Sequence, residues 1–397
     1  MEIGIVGKPS SGKTTFFNAA TLSNAKVASY PFTTIEPNVG IGYVSKECVC
    51  KEFGIKDHKP IKGFCLRGIY FAPIRLIDVA GLIPGARQGR GLGNQFLDHI
   101  RRAEALIHVV DIVGSTDIEG RQVPVGTHDP LEDVKFLEEE LVRRVWSILN
   151  KDRRRLRTQL SATRSESQAA DILYEKLSGL EITRNTIVDA INELGHPKAR
   201  DEDKLLKFVR FILKKDKPML IAGNKVDVDP DIAKENVKRL EKEGYKVVPT
   251  SALGERILKR MRNEGKIDYV PGTDHVEVLK PLDEREKRAL ELIEERVFKE
   301  FGSTGVQEAL NKAAFDLLDL ILVFPVEDPE KLTDHKGNVL PEGYLVKRGT
   351  TARELAYMIH SELGEKFVRA FLVRERRRVG ADYVLKDRDV ISIRASR

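Results

Sequence analysis

Gly7, Gly12, Lys13 and Thr14 stand in the order Gly-x4-Gly-Lys-Thr within the stretch GKPSSGKT. That spacing suits phosphate. Glycines let a backbone wrap closely around an anion and turn successive N–H groups inward, and a helix that follows adds the positive end of its dipole. Gly7, Lys8, Pro9, Ser10, Ser11 and Gly12, with Lys13, Thr14 and Thr15, are therefore the expected cradle. Lys13 has the reach for β- and γ-phosphates, and the Thr14 hydroxyl is an oxygen donor for Mg²⁺. Phosphates are common to every nucleotide, so this loop does not say which base is read.

The base is addressed by Asn224-Lys225-Val226-Asp227. It follows the apolar run PMLIAG, which places it at the carboxyl end of a buried strand, where nucleotides bind. A carboxylate at Asp227 accepts both the ring N–H and the exocyclic amine of guanine, and adenine offers neither in that arrangement. A site built around such a pair rejects the wrong base strongly, because the carboxylate would be left unpaired. Ser251-Ala252, after the next apolar run, supplies a backbone N–H for guanine's keto oxygen. Two further groups complete the set. Asp78, in Asp78-Val-Ala-Gly81, ends the run IRLID and is placed to hold Mg²⁺ through water, with the Gly81 N–H toward the γ-phosphate. In YPFTTIEP, Thr34 rather than Thr33 is the expected second hydroxyl on Mg²⁺. Lys13, Thr34 and Gly81 are the groups expected to act on the transferred phosphate.

These residues need a scaffold that brings loop ends together. Residues 2–6, 39–44, 68–81, 105–113, 217–227 and 245–252 read as strands alternating with helices, the pattern of an α/β doubly wound sheet. Residues 131–195 break the rhythm, with Leu131, Val134, Leu137, Leu141, Val145 and Ile148, then Leu173, Leu177, Leu180, Ile187, Ile191 and Leu194, at helical spacing. The expectation is an inserted antiparallel coiled-coil hairpin with Arg153, Arg154, Arg155 and Arg157 at its tip, either a packed arm or a contact arm. Two helices follow the last α/β strand, and short strand candidates around the helix TARELAYMIHSELG close the chain as a small α+β module.

With 397 residues, 41% hydrophobic and 32% charged, the chain is a globular protein of several domains. A net charge of +6 is mildly basic, a solvated surface unless something else calls for RNA. Cys48, Cys50 and Cys65 carry no C-x-x-C pair and are read as packing residues in a reducing cytoplasm, with no zinc set. No apolar run is long enough to span a membrane, and no signal peptide is read, since residue 2 already opens a strand.

GKPSSGKT, PFTT, DVAG, NKVD and SA together resemble the translation-factor-class GTPases, and the glycine-rich GLIPGARQGRGLGNQFL (81–97) resembles the second switch of the Obg superfamily. The organisation is similar to the YchF-type branch, and GYLVKRGTTARELAYMIHSELGEKFVRA is similar to TGS domains. The resemblance implies a P-loop domain in two parts, 1–130 and 205–318, a helical hairpin at 131–204 and a β-grasp TGS domain at 319–397. It implies GTP/GDP and Mg²⁺ as ligands and association with ribosome or RNA through the TGS domain and the helical arm; a cytoplasmic location is expected, and the oligomeric state is left open with a monomer favoured. Core YchF proteins have a degenerate fourth motif and use ATP; this chain keeps Asn224, Lys225 and Asp227, so GTP is expected. Ser10 replaces an Asn that helps hold potassium in some relatives, so no potassium requirement is carried over. Leu82 stands where Ras-like GTPases place the Gln that orients water, so hydrolysis is expected to be slow unaided, with Gln88 or a partner group in that role. The rival readings are a GTP-regulated protein adaptor without RNA contact and a P-loop ATPase or kinase.

Overall fold

The computed structural model describes residues 1–21, 38–79, 96, 98–163, 165–195 and 202–396, save the side chains of Arg153 and Glu202. The central sheet follows the order β2-β4-β1-β5-β6-β7, with β3 also paired to β4. Its strands are β1 (Glu2–Val6), β2 (Val39–Glu47), β3 (Phe64–Leu66), β4 (Ile69–Asp78), β5 (Ala105–Asp111), β6 (Met219–Asn224) and β7 (Val247–Thr250). β4, β1, β5, β6 and β7 run parallel, and β2 and β3 pair antiparallel to β4. Every residue of β5 is buried, which is why it reads as an apolar run broken only by His108 and Asp111: a parallel strand between two neighbours is covered on both faces. From β1 the chain steps to β4 on one side and then to β5 on the other. The carboxyl end of β1 therefore faces a topological switch point, the natural crevice for a ligand.

The helical insertion is present, in more pieces than a two-helix hairpin. Helices span Pro130–Asn150, Arg153–Ala162, Glu166–Leu177, Arg184–Leu194 and Glu202–Asp216. Caps explain the breaks. The Ser165 side chain accepts from the Gln168 N–H and Thr183 from the Thr186 N–H, so each starts a new helix; Glu181, at φ 57°, turns the chain between them. Leu137, Leu141, Leu173 and Phe208 share one apolar cluster with Val6, Ile77 and Leu106 of the sheet. The insertion is thus packed onto the nucleotide domain's own core. Arg154, Arg155 and Arg157 are exposed around the buried Leu156 and Leu160; the Arg153 side chain lies outside the described residues.

A short hairpin, β8 (Ile267–Tyr269) and β9 (Val276–Val278), had no clear sequence signal. The helix Glu284–Ile293 opens with a capping box at Asp283 and Glu286. The C-terminal sheet has the order β11-β10-β14-β12-β13, from β10 (Leu320–Val326), β11 (Tyr344–Lys347), β12 (Phe367–Leu372), β13 (Arg377–Val379) and β14 (Val390–Ala395). The helix Ala352–Ile359 packs Ala352 and Leu355 against it, in a β-grasp arrangement. This module is seated on the first sheet: Leu322, Phe324 and Val390 join Val44, Cys48 and Tyr70 in one core, and Lys46 pairs with Asp387 at 2.6 Å.

Candidate functional site

The sequence-predicted groups within the described residues converge at the carboxyl ends of β1, β4, β6 and β7. After β1 the loop turns through Ser10 at φ 61° and Gly12 at φ 91°. Only glycine suits position 12 on two counts, since a Cβ there would sit 2.2 Å from Asn224 Nδ2. The helix Lys13–Thr21 starts at once, with its amino end turned to the loop. Thr14 is exposed there and Thr15 half-buried. Lys13 Nζ is in direct contact with the Asp78 carboxylate at the end of β4. The lysine predicted for phosphate and the carboxylate predicted for Mg²⁺ thus occupy one locus.

Asn224 ties the base-reading segment to the phosphate loop. Its Nδ2 donates to the Ser11 carbonyl at 3.0 Å, and its Oδ1 accepts from the Ala252 N–H at 3.0 Å. Asp227, half-buried, accepts from the Ser251 hydroxyl at 2.7 Å, so the carboxylate is oriented by the neighbouring motif. Ser251 in turn caps the helix Ala252–Asn263, accepting from the Gly254 N–H at 3.1 Å. Lys225, at φ 73°, points the other way and donates to Asp111 at 2.9 Å and to Ser115 at 3.2 Å.

Asp111 is a hub that sequence reasoning missed. It is fully buried and also accepts from the Ser115 and Thr116 hydroxyls, each at 2.7 Å. Burial pushes its carboxyl up, but the hydrogen bonds from Thr116 and Lys225 and the Lys225 charge outweigh that and hold it below the usual range. From Thr116 the network continues: its carbonyl accepts from Lys8 Nζ at 2.8 Å, Lys8 pairs with Asp133 at 2.8 Å, and Asp133 accepts from His128 at 2.8 Å. Asp133 lies in the first turn of the inserted helix Pro130–Asn150. A second support is Glu255, buried among the Tyr269 hydroxyl at 2.7 Å, the Thr304 hydroxyl at 2.5 Å and Lys259 at 3.2 Å. Lys259 also donates to the Ala19 carbonyl at the end of the phosphate-loop helix. No short motif announces this network, because the contacts that tie its parts together, Lys225 to Asp111, Lys8 to Thr116 and Asp133, Thr304 to Glu255 and Lys259 to Ala19, join residues far apart in sequence.

Thr33, Thr34, Gly81, Leu82 and Gln88 lie outside the described residues. Cys48 and Cys50 belong to the apolar core and Cys65 packs against it, as expected of packing residues; what the sequence did not show is that with His58 they form a cluster whose candidate ligand atoms all lie within 4.8 Å of one another. The local spacing fits no familiar zinc motif; the strand pairing of β2 and β3 across β4 gathers them.

Three family models match the chain: 50S ribosome-binding GTPase over residues 2–151, Obg-like GTPase YGR210-like, G4 motif-containing domain, over residues 222–328, and TGS domain over residues 336–395. A GTP-binding protein of Methanocaldococcus jannaschii is 47% identical over 394 residues, 98% of each chain. The ribosome-binding ATPase YchF of Bacillus subtilis is 28% identical over 419 residues, 99% of each chain. The crystal structure of a GTP-binding protein from Pyrococcus horikoshii superposes with a TM-score of 0.77 at 38% identity, over 100% of both chains.

Proposed function

The chain belongs to the YchF-related branch of the Obg-like GTPases, guanine-nucleotide-binding proteins with a C-terminal TGS domain, and on that premise we propose that it hydrolyses GTP as a switch associated with the ribosome or RNA. The observation that carries the nucleotide part is Asp227 held by Ser251 at 2.7 Å while Asn224 fastens that segment to the phosphate loop. A carboxylate so oriented meets the two donors on guanine's edge, and an ATPase has no use for it.

Water attacks the γ-phosphorus, the bond to the β–γ bridging oxygen breaks, and GDP and phosphate leave. Lys13 and the loop amides stabilise the charge that grows on the bridge and γ-oxygens. The Thr14 hydroxyl and the Asp78 carboxylate are hard oxygen donors at one locus, a set that fits Mg²⁺; the ion, when bound, neutralises phosphate charge. Thr34 and the Gly81 N–H are proposed to join them when the γ-phosphate is present, and release of those segments after hydrolysis is the switch.

Two features support a polyanionic partner. β12 and β14 set Arg369 directly opposite Arg394, and both are exposed. Like charges in register are unfavourable, and a bound phosphate backbone relieves them. Part of the nearby basic run is already committed, since Arg374 pairs with Glu52 at 2.6 Å, but Arg376 and Arg378 are exposed beside this face. Among the described residues no helix is long and apolar enough to cross a membrane.

The test is co-sedimentation of the protein with ribosomal particles in the presence of a non-hydrolysable GTP analogue, GDP or no nucleotide. Binding favoured by the analogue and weakened by salt is expected. Absence of binding in all three states at low salt defeats the ribosome reading and favours a protein-docking role for the TGS domain.

A further inference from the structure

We propose that Cys48, Cys50, His58 and Cys65 bind one zinc ion in a Cys₃His site that locks the TGS domain onto the nucleotide domain. Cys48 follows the end of β2, Cys50 lies in the turn Val49–Lys51, His58 lies in the loop beyond it and Cys65 is in β3. Cys50 and Cys65 Sγ are 3.8 Å apart, and Cys48 Sγ is 3.3 Å from His58 Nδ1. A tetrahedral ion with Zn–S of about 2.3 Å and Zn–N of about 2.0 Å spaces its ligands about 3.8 Å apart between sulfurs and about 3.5 Å between sulfur and nitrogen. The four donors need only small shifts to enclose it.

The surroundings are those of a ligand set. His58 Nε2 is 3.0 Å from the Leu340 carbonyl, a contact that puts the proton on Nε2 and leaves the Nδ1 lone pair facing the sulfurs; such outer hydrogen bonds orient metal-bound histidines. Leu340 holds a left-handed φ of 44° to present that carbonyl, a strained position for a side chain of its size. The Cys50 N–H points at Cys48 Sγ, 3.4 Å away, the kind of donor that steadies a thiolate. Cys48, Cys50 and His58 are buried, and Cys65 is half-buried.

Residues 52–63 contain no helix or strand. This loop meets the C-terminal module at its tip: the Ile61 N–H donates to the Pro341 carbonyl at 2.6 Å and Lys62 pairs with Glu342 at 2.6 Å. An ion held by His58 of this loop, itself in contact with Leu340, and by the cysteines that flank the loop on both sides fixes the loop and the seam between the domains together.

The experiment is metal analysis of the full chain purified under reducing conditions, followed by exchange with Co²⁺. About one zinc per chain is expected, with thiolate-to-cobalt charge-transfer and intense visible bands of a tetrahedral site after exchange. Cys65→Ser and, separately, His58→Ala should reduce bound zinc at least about tenfold while GTP binding, measured in parallel, persists and reports that the nucleotide domain is folded. Chelation should lower the melting temperature of the native chain and leave that of Cys65→Ser unchanged. Zinc-free native protein that takes up no Co²⁺ while still binding GTP overturns the proposal. So does a Cys50–Cys65 disulfide found by mass spectrometry in protein purified without reductant, if that protein regains no metal site on reduction.

Discussion

Lys8 of the phosphate loop and Asp133 of the first inserted helix form an ion pair at 2.8 Å with side chains only 4% and 2% exposed. Through the Thr116 carbonyl and hydroxyl the same pair is joined to Asp111 and Lys225. A single chain of polar contacts therefore links the base-reading segment, the phosphate loop and the helical insertion. Such a chain fastens the insertion to the phosphate loop.

Breaking this pair from one side is expected to be expensive. Asp133→Ala leaves the Lys8 ammonium buried with only the Thr116 carbonyl, and loss of one partner of a buried pair typically costs about 3–5 kcal/mol. The double variant Lys8→Met/Asp133→Leu removes both charges and should recover part of that loss, short of about 2 kcal/mol for the hydrogen bonds lost at the Thr116 carbonyl and at His128. Urea unfolding of both variants and the native chain checks this. If the double variant is as unstable as the single one, the pair is not what holds the insertion to the loop.

Asn224→Ala removes two bonds at once, those to the Ser11 carbonyl and the Ala252 N–H. Each buried group left unsatisfied costs about 1–3 kcal/mol, and the loss falls on the geometry of the loop as well as on the base side. GTP and GDP affinity should both fall by about a hundredfold or more, and by similar factors, because neither bond depends on the γ-phosphate. Titration of fluorescent GTP and GDP analogues reads both.

These contacts show where sequence reading stops. That Gly7, Gly12, Lys13, Asp78, Asn224 and Asp227 would be gathered at one end of the sheet was legible because nucleotide chemistry calls for those types at strand ends, and the alternation of apolar runs located the strands. The helical insertion was legible from its leucine spacing, while its division into five helices depended on caps at Ser165 and Thr183 that a heptad count overlooks. Lys8 looked like one more loop residue, and nothing near position 133 said that its carboxylate would be buried beneath the phosphate loop. The clustering of the cysteines was hidden for a related reason: β2 and β3 both pair with β4, and that pairing brings residue 48 near residue 65.

His108 in β5 should make the fold acid-sensitive. Burial, aided by the Lys8 charge, lowers its pKa from 6.5 to about 3, so the folded chain keeps it neutral where the unfolded chain protonates it. Stability from this group is complete above pH ~6.5 and is lost progressively as pH falls toward about 3. At pH 5 the loss is about 2 kcal/mol. His108→Gln has no such proton to take up, so its stability difference between pH 7.5 and pH 5 should be smaller than the native one by about that amount. Chemical denaturation at the two pH values decides; equal differences would mean that His108 is protonated within the fold.

Asp227→Asn tests the base assignment itself. In the proposed site the carboxylate accepts from guanine's ring N–H and exocyclic amine, whereas an amide would set its own N–H₂ against one of those donors. GTP affinity should drop by about 2–4 kcal/mol, the range for losing hydrogen bonds to a charged acceptor and facing one donor with another. Xanthine carries a carbonyl where guanine carries the amine, so it presents the acceptor that the variant's amide N–H₂ would meet, and XTP should bind the variant better than GTP does. Ser251, whose hydroxyl donates to Asp227 at 2.7 Å, can still donate to the amide oxygen, which turns the amide nitrogen toward the ligand and favours this swap. Competition of GTP, XTP and ATP against a fluorescent analogue on both forms gives the answer. A variant that keeps its preference for GTP would show that the base is read elsewhere, and ATP binding as strong as GTP binding in the native chain would return it to the ATPases.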